Sequence, residues 1–397
     1  MNFASQLWLK STFLFNPAQL VFNGTLKSLL FYFLVSRIIF VVFAYVASIL
    51  VPLREGYLGI QVAPDTAYLV WIWANFDGRH YIDIATQGYQ NTNFAFFPLY
   101  SSILSLAGYL LPIEHIYIGI FLSSIFTLLA GLFIYKIAKI DFTEKVAVLA
   151  VVAYFFIPFS FFNHSVYTDS LFLLLATSSF YFARKSNWWF SGFLAGLAFL
   201  DRFSGIALIP ALLAEWYIQN KGKNSLSLKN FVYTGFISIG LCILGFIAYL
   251  TYLQIFHGNF LLFQQTRSAW GEDKFVFPAQ TVFRYLKIFL GLDKSLIEYY
   301  VAVLEFVSVI FYFFLTFTAS KKIRLSYGIY MATLLIIIPS TGTFAGTPRY
   351  LLHLFPAFIL FGLWMEKSKI RRDYYYSIFL LLGFILTALF TRGYFIT

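Results

Sequence analysis

The stretch LLFYFLVSRIIFVVFAYVASILVPL, residues 29–53, contains a single charged side chain, Arg37. A helix needs about 20 consecutive, mostly apolar residues to cross a bilayer. The stretch is long enough for such a helix, and its apolar residues do not alternate with polar ones as they do in the strand of a membrane barrel. It therefore predicts a transmembrane helix.

The composition of the whole chain agrees with this prediction. Of its 397 residues, 60% are hydrophobic, 22% are aromatic and only 11% are charged, and the mean hydropathy is +0.78. Soluble domains are about 45–50% apolar and about 25% charged. The composition excludes a soluble enzyme, a disordered chain and a disulfide scaffold, and the single cysteine, Cys242, has no intrachain partner. We expect an all-α polytopic membrane protein that forms one integral membrane domain over residues 1–397.

Apolar runs recur along the chain and predict about eleven transmembrane helices. The runs are Leu29–Leu53, Ile116–Ile140, Val146–Phe162, Ser170–Ala183, Trp188–Leu200, Gly205–Ile218, Phe231–Phe256, Ile297–Ala319, Leu325–Ser340, Tyr350–Met365 and Tyr374–Phe390. A further run, residues 94–111, is short and is interrupted by prolines and a glycine. If this run does not cross the membrane, most lysines and arginines fall in cytoplasmic connections, as the positive-inside rule requires. We therefore predict that it lies in the outer interface or re-enters it.

Two long connections are predicted on the extracytoplasmic side. They cover residues 54–115, with interfacial helices, and residues 257–296. Most acidic residues fall on this side, so acid–base chemistry is expected there. The net charge of +11 is explained by cytoplasmic loops that face anionic lipid, and no nucleic-acid partner is predicted.

The first of these connections contains FDGRHYIDIATQGY, residues 76–89, in which apolar residues recur at helical spacing. Asp77 could cap this helix by accepting hydrogen bonds from backbone amides. It could equally be a carboxylate at the bilayer surface that takes a proton from an acceptor hydroxyl, with Arg79 and His80 beside it. The spacing alone leaves both interpretations open.

Four other charged residues are candidates at the outer ends of predicted spans. Asp169 is placed to interact with a helix N-terminus, and it is also a candidate for a functional acid at the membrane edge. Asp201 and Arg202 separate two short spans, either as a self-neutralising pair or as part of an anion site. Arg349 begins a helix, where the dipole disfavours a cation, so we expect an anion to compensate its charge.

Carboxylates and guanidinium groups around one polar opening suit a lipid-phosphate substrate, since the arginine fork binds phosphate through parallel donors. The sequence has no phosphate-binding loop for ATP and no cluster of His and Cys ligands for zinc. The first long connection also lacks an Asp-x-Asp pair. The sequence therefore does not indicate a divalent metal, although a metal is possible. We predict no cofactor.

Five short motifs occur in the order of a known family. They are Phe76–Tyr81 with Ile84, Ala85, Gly88 and Tyr89; Phe96–Tyr100; Tyr167–Phe172; Arg202–Gly205; and Pro348–Leu352 with Phe355 and Pro356. The chain resembles the GT-C class membrane mannosyltransferases of the GPI second-mannose type and their prokaryotic relatives. It departs from them at Phe76, where Trp is more usual, and at Asp169, where Glu is usual. The second long connection matches only loosely.

The resemblance implies an inverting transfer of a sugar, mannose above others, from a polyprenyl- or dolichyl-phosphate donor on the extracytoplasmic face. The acceptor would be a glycan, a lipid or a protein. The resemblance implies Asp77 as the catalytic base. It also implies substrate binding by Arg79, His80, Tyr100, Asp169, Arg202, Gln265 and Arg349.

Two alternative functions fit the same composition but involve no sugar transfer. A transporter or flippase of lipid-linked sugars would carry more charges through the membrane depth, and a structural subunit would not require Asp77, Arg202 and Arg349 together. For the enzyme we expect a multi-pass location in a prokaryotic plasma membrane, or in the endoplasmic reticulum of a eukaryote.

Overall fold

The computed structural model describes residues 24–57, 66–221, 231–271 and 274–396. Within these ranges the chain is helical and has no β-strand, as predicted. Parts of the predicted domain and loop ranges, at residues 1–23, 58–65, 222–230, 272–273 and 397, lie outside the described residues.

The longer helices are numbered along the chain. They are α1 Gly24–Leu50, α2 Asp77–Gln87, α3 Pro98–Leu110, α4 His115–Asp141, α5 Glu144–Phe156, α6 Asp169–Arg184, α7 Trp188–Asp201, α8 Leu208–Asn220, α9 Ile237–His257, α10 Pro278–Gly291, α11 Ile297–Lys322, α12 Leu325–Ile337, α13 Phe355–Glu366 and α14 Lys369–Thr391. Single turns and short 3-10 or π segments connect them. They are Tyr68–Trp71, Ile72–Ala74, Asn91–Ala95, Ser160–His164, Phe203–Ala207, Phe231–Phe236, Leu262–Gln265, Thr266–Trp270, Pro339–Thr341, Thr347–Tyr350 and Leu351–His353.

Five helices of the described residues are long and apolar enough to cross a membrane: α1, α4, α9 with the preceding π segment, α11 and α14. A sixth crossing is counted if Thr347–His353 and Phe355–Glu366, which meet at 78°, form one broken span. Eleven crossings are therefore not confirmed. The physical reason is length, since a helix of 13 to 16 residues, such as α5 or α6, spans only about 20–24 Å of a hydrocarbon core of about 30 Å.

The end of α5 shows why the apolar runs overestimate the helices. The predicted run Val146–Phe162 is helical only to Phe156, because Pro158 disfavours helical backbone at Ile157, which is extended. Most side chains of α5 and α6 are buried. These short helices are apolar on all sides because they lie in the core of the bundle.

Glycines form a close seam between α7 and α9. A Cβ atom added to Gly196 would lie 2.4 Å from the carbonyl oxygen of Leu241, and one added to Gly245 would lie 1.8 Å from that of Gly196. The two backbones therefore touch directly. Further along α9, Tyr249 donates a hydrogen bond of 2.7 Å to the carbonyl of Phe94. The seam thus fixes the segment that follows α2.

In the first long connection, the predicted run 94–111 contains α3, which begins with Pro98 at its first position. Pro is favoured there because its missing N–H would be unpaired in any case. One face of α3 is buried through Tyr100 and Leu104, while Leu106 and Tyr109 are exposed. Its placement in or near the outer interface stays a prediction.

Candidate active site

Asp77 is the first residue of α2, and its position is fixed by its neighbours. Phe76, just before it, has φ of 54°, a strained value for a residue with a side chain. The carbonyl of Asn75 accepts hydrogen bonds from the Gly78 amide, at 3.1 Å, and from the Tyr167 hydroxyl, at 2.7 Å. The Asp77 side chain does not cap its helix; its Oδ2 accepts a hydrogen bond of 2.8 Å from Arg349 Nη1.

Arg349 lies in the short turn Thr347–Tyr350, before the bend that leads into α13. Its Nε lies 3.4 Å from Asp169 Oδ1, so this one guanidinium faces both acids. It also lies over the rings of Phe162 and Tyr167, at 5.2 and 5.3 Å from their centroids. The anion that the sequence required near Arg349 is thus Asp77 together with Asp169.

Asp169 is fully buried at the start of α6 and joins several side chains through one oxygen. Its Oδ1 lies 3.2 Å from Arg202 Nη1 and 3.0 Å from His353 Nε2. Burial on its own raises the pKa of Asp169, but the charges of Arg349 and Arg202 outweigh it and hold the pKa well below its usual range. Within the described residues, Oδ2 makes no hydrogen bond.

Asp201 lies at the end of α7 and does not share this arrangement. Its Oδ2 accepts a hydrogen bond from the Thr168 hydroxyl. Burial raises the pKa of Asp201 to about 8, despite Thr168 and the nearby charge of Arg202. At neutral pH this acid is therefore mostly protonated and does not cancel the charge of Arg202, which contacts Asp169 instead.

A cavity of about 650 Å³ lies against these groups. Its lining includes four arginines, Arg202, Arg267, Arg284 and Arg349. The two acids of the lining are Asp77 and Asp201, and the walls include Phe96, Phe97, Ile337 and Ile338. We call it the cationic cavity. Its charge favours an anion, and its apolar walls favour a hydrocarbon chain attached to that anion.

A second cavity, of about 510 Å³, lies beside α2 and has a different lining. We call it the polar cavity. Its polar lining residues are Asn75, Asp77, Arg79, His80, Asp83, Gln87, Gln90, Thr92 and Asn93, joined by the aromatic residues Tyr57, Phe76 and Phe395. Asp77 and Phe395 line both cavities. The two spaces therefore meet at the Asp77 carboxylate.

Arg79 and His80 belong to the polar cavity. Arg79 Nε lies 3.5 Å from Asp83 Oδ2, one turn further along α2. His80 Nδ1 lies 2.6 Å from Asn93 Oδ1, and its ring stacks on Phe96 at 4.6 Å. Neither residue lines the cationic cavity.

Three residues assigned to substrate binding from the sequence, Tyr100, Asp169 and Gln265, line neither cavity. Of these, Asp169 still contacts two arginines of the cationic cavity. Tyr100 is fully buried, and its hydroxyl is 2.9 Å from that of Ser123. Gln265 is exposed and accepts a hydrogen bond of 2.9 Å from Asn259. The structure thus brings together Asp77, Asp169, Arg202 and Arg349 and separates Tyr100 and Gln265 from them.

A family model described as dolichyl-phosphate-mannose-protein mannosyltransferase matches residues 98–252. The match supports a GT-C type mannosyltransferase family. Together with the apolar helices, it supports an integral membrane glycosyltransferase. No curated protein matches the chain significantly. The matched range is less than half of the chain; it includes Asp169 and Arg202, whereas Asp77 and Arg349 lie outside it.

Several residues around the site were not predicted from the sequence. Arg267 and Arg284 come from the second long connection, whose excess of basic residues was the available signal. Arg284 in α10 donates a hydrogen bond of 2.5 Å to the carbonyl of Gly342, in the segment that leads to Arg349. His353 and Phe395 gave no signal, because an isolated His and a Phe in an aromatic-rich chain are unremarkable.

Among the described residues, no group of three or more His, Cys, Asp or Glu side chains is arranged to hold a metal ion. The absence of a cofactor stays a prediction.

Proposed function

We propose that this chain transfers mannose from a polyprenyl- or dolichyl-phosphate donor to an acceptor hydroxyl on the extracytoplasmic face, with inversion at the anomeric carbon. The observation that carries the proposal is that one carboxylate, Asp77, lines both a cationic and a polar cavity. A base that touches both spaces can act on a hydroxyl in one while the sugar phosphate lies in the other.

The cationic cavity suits the donor. Arginine binds phosphate oxygens through paired donors, and Arg202 and Arg349 are held in place by Asp169. Apolar residues such as Phe97 and Ile338 offer a surface for the first prenyl units. A nucleotide sugar would leave this apolar wall unused, which favours a lipid-linked donor.

The transfer is a single displacement. The acceptor hydroxyl loses its proton to Asp77 as its oxygen bonds to the anomeric carbon. The bond between that carbon and the phosphate oxygen breaks, and the electron pair leaves with the lipid phosphate. The growing negative charge on the phosphate is stabilised by Arg202 and Arg349, which are already oriented.

The polar cavity suits a hydrated acceptor. Amide, carboxylate and imidazole groups from α2 and the following turn can hydrogen bond to sugar or peptide groups, and aromatic rings flank them. We propose a glycan, lipid or protein hydroxyl as the acceptor, with a GPI second-mannose type specificity as the finer assignment. The host membrane proposed is a prokaryotic plasma membrane.

The test uses the purified full chain with polyprenyl-phosphate mannose and a panel of acceptors, with products measured by mass. Asp77→Asn should lower transfer by about 10²–10⁴-fold, the usual contribution of a general base. Donor binding and folding should persist. Asp293→Asn makes the same chemical change at an exposed position and should transfer normally.

Near-normal transfer by Asp77→Asn would contradict the role of this residue. Movement of the lipid-linked sugar across vesicles without a new glycosidic bond would contradict the enzyme and favour a flippase.

A further inference from the structure

The residues after α14 fold back toward the site and are held there. Arg392 Nε donates a hydrogen bond of 2.7 Å to the carbonyl of Val51, and its Nη1 donates one of 2.6 Å to the hydroxyl of Tyr68. The carbonyl of Arg392 accepts a bond of 3.0 Å from the Arg54 amide. These contacts tie the segment to the end of α1.

Gly393 makes the turn that follows. Its φ of 85° is in the left-handed region, and a Cβ atom there would lie 2.3 Å from the ring of Tyr57. After the turn, Ile396 is buried with 2% of its surface exposed. Phe395 is therefore held from both sides.

Phe395 has 48% of its surface exposed, and what it exposes faces both cavities. Its ring contacts the edge of Phe76, the residue before Asp77, with 5.5 Å between centroids. An apolar ring thus stands next to the proposed base at the place where the cationic and polar cavities meet.

We infer that Phe395 is a positioning residue that excludes water from the contact between acceptor and donor. This inference rests on the proposed function. A water molecule beside Asp77 would lose a proton to it and attack the anomeric carbon as an acceptor does, giving free mannose and lipid phosphate. An apolar ring that fills this space suppresses hydrolysis while leaving the acceptor hydroxyl its path.

The experiment measures mannosylated acceptor and free mannose in the same reaction. Phe395→Ala should raise the hydrolysed fraction of the donor several-fold. Phe395→Leu keeps an apolar side chain and should bring the ratio of mannosylated acceptor to free mannose most of the way back to that of the unmodified chain. Phe275→Ala, at an exposed phenylalanine outside both cavities, should match the unmodified chain. An unchanged hydrolysed fraction in a folded Phe395→Ala protein would overturn the inference. Absence of any transfer by the unmodified chain would instead contradict the proposed function.

An independent feature extends along α11 from Phe311 to Lys322. A groove of about 580 Å³ opens between α11, α13 and α14. Its lining is mostly aromatic and aliphatic, including Phe311, Phe314, Trp364, Tyr374, Ile378 and Phe379. In α11, Tyr312 donates to the carbonyl of Pro348 beside Arg349, whereas Lys322 at the groove lies ten residues further on, about 15 Å away.

The charged side chains that line this groove are both positive. Lys322 and Lys367 both line it and are exposed. The adjoining chain adds further cations, at Lys321, Lys369, Arg371 and Arg372. The neighbouring acids are Glu366, which accepts a hydrogen bond from Thr143, and Asp373. The balance is positive, as in basic clusters that bind anionic lipid headgroups.

We propose that this groove binds a diacyl phospholipid with an anionic headgroup, with an acyl chain along the aromatic lining and the phosphate between Lys322 and Lys367. Trp364, which is 40% exposed in the groove, provides the probe.

The full chain is reconstituted with lipids brominated on the acyl chain, and tryptophan fluorescence is recorded. Brominated phosphatidylglycerol should quench a component that is lost in Trp364→Phe, at a several-fold lower lipid fraction than brominated phosphatidylcholine. Lys322→Gln with Lys367→Gln should remove that preference, while Lys294→Gln, at an exposed lysine outside the groove and its basic cluster, should keep it. Equal quenching by the two lipids in the unmodified chain would overturn the proposal.

Discussion

Asp169 shows how one buried carboxylate can hold several charged side chains of a site together. Its Oδ1 lies within 3.4 Å of Arg202, Arg349 and His353. Asp169→Asn removes the charge that orients both arginines. A displacement of about 1 Å at reacting groups can cost about 10²-fold in rate, and we expect a loss of this size.

The measurement separates kcat from the KM for the donor, because misplaced arginines should affect both. Asp169→Glu keeps the charge and should retain more activity than Asp169→Asn. Equal activity of Asp169→Asn and the unmodified chain would contradict the positioning role.

Because of Asp201, we expect the binding of the donor in the cationic cavity to depend on pH. Its raised pKa of about 8 means that the carboxyl is neutral below pH 8 and becomes negative above it. The groups around it are Thr168, Arg202 and Asp169, with the backbone of Tyr100. A new negative charge in the cavity opposes a bound phosphate, so the KM for the donor should rise above pH 8.

Asp201→Asn cannot ionise and should keep a flat KM over the same range. The comparison is made between pH 6.5 and about 9, the interval on either side of the Asp201 pKa. A parallel rise of KM in both proteins would assign the effect to another group.

At the scale of helices, the glycine seam holds the backbones of α7 and α9 in direct contact. Gly196→Ala places a methyl group 2.4 Å from a backbone oxygen that cannot rotate away. Overpacking of this kind costs about 1–3 kcal/mol. We expect a lower unfolding temperature, measured on the purified protein.

Gly240→Ala is the matched control, since a Cβ atom at this position of α9 meets no other atom within 4 Å. Alanine is the better helix former, so this variant should be as stable as the unmodified chain or more stable. Equal stability of both variants would show that the seam is not close-packed.

At the scale of the whole molecule, the ends of the bundle should face opposite sides of the membrane. Cys242 is buried and can be replaced by Ala to give a cysteine-free chain. In that background, Thr86→Cys on α2 and Lys321→Cys at the end of α11 are both exposed positions. An impermeant maleimide added to intact cells should label the first and not the second. Labelling of both or neither would contradict the predicted sidedness.

The sequence identified four charged residues that the structure brings together, but not the lengths of the helices that hold them. Asp77, Asp169, Arg202 and Arg349 were recognisable because charges in an apolar chain need partners. The assignment of Tyr100 to substrate binding stays a prediction, and the structure places this tyrosine in the core, where a buried and a ligand-binding tyrosine have the same aromatic surroundings in sequence. The eleven crossings are not confirmed, because hydropathy does not distinguish a short buried helix from a span. Phe395 could not be predicted, because its role depends on a turn at Gly393 and on a contact with a distant helix.

The ion pair between Asp77 and Arg349 joins residues 272 positions apart. A membrane protein made from its N-terminus therefore delivers the carboxylate to the lipid bilayer long before the ribosome produces its counter-charge. The pair can therefore form only after Arg349 has been synthesised. On the proposed function, a product that ends before Arg349 would lack one of the two arginines that stabilise the departing phosphate.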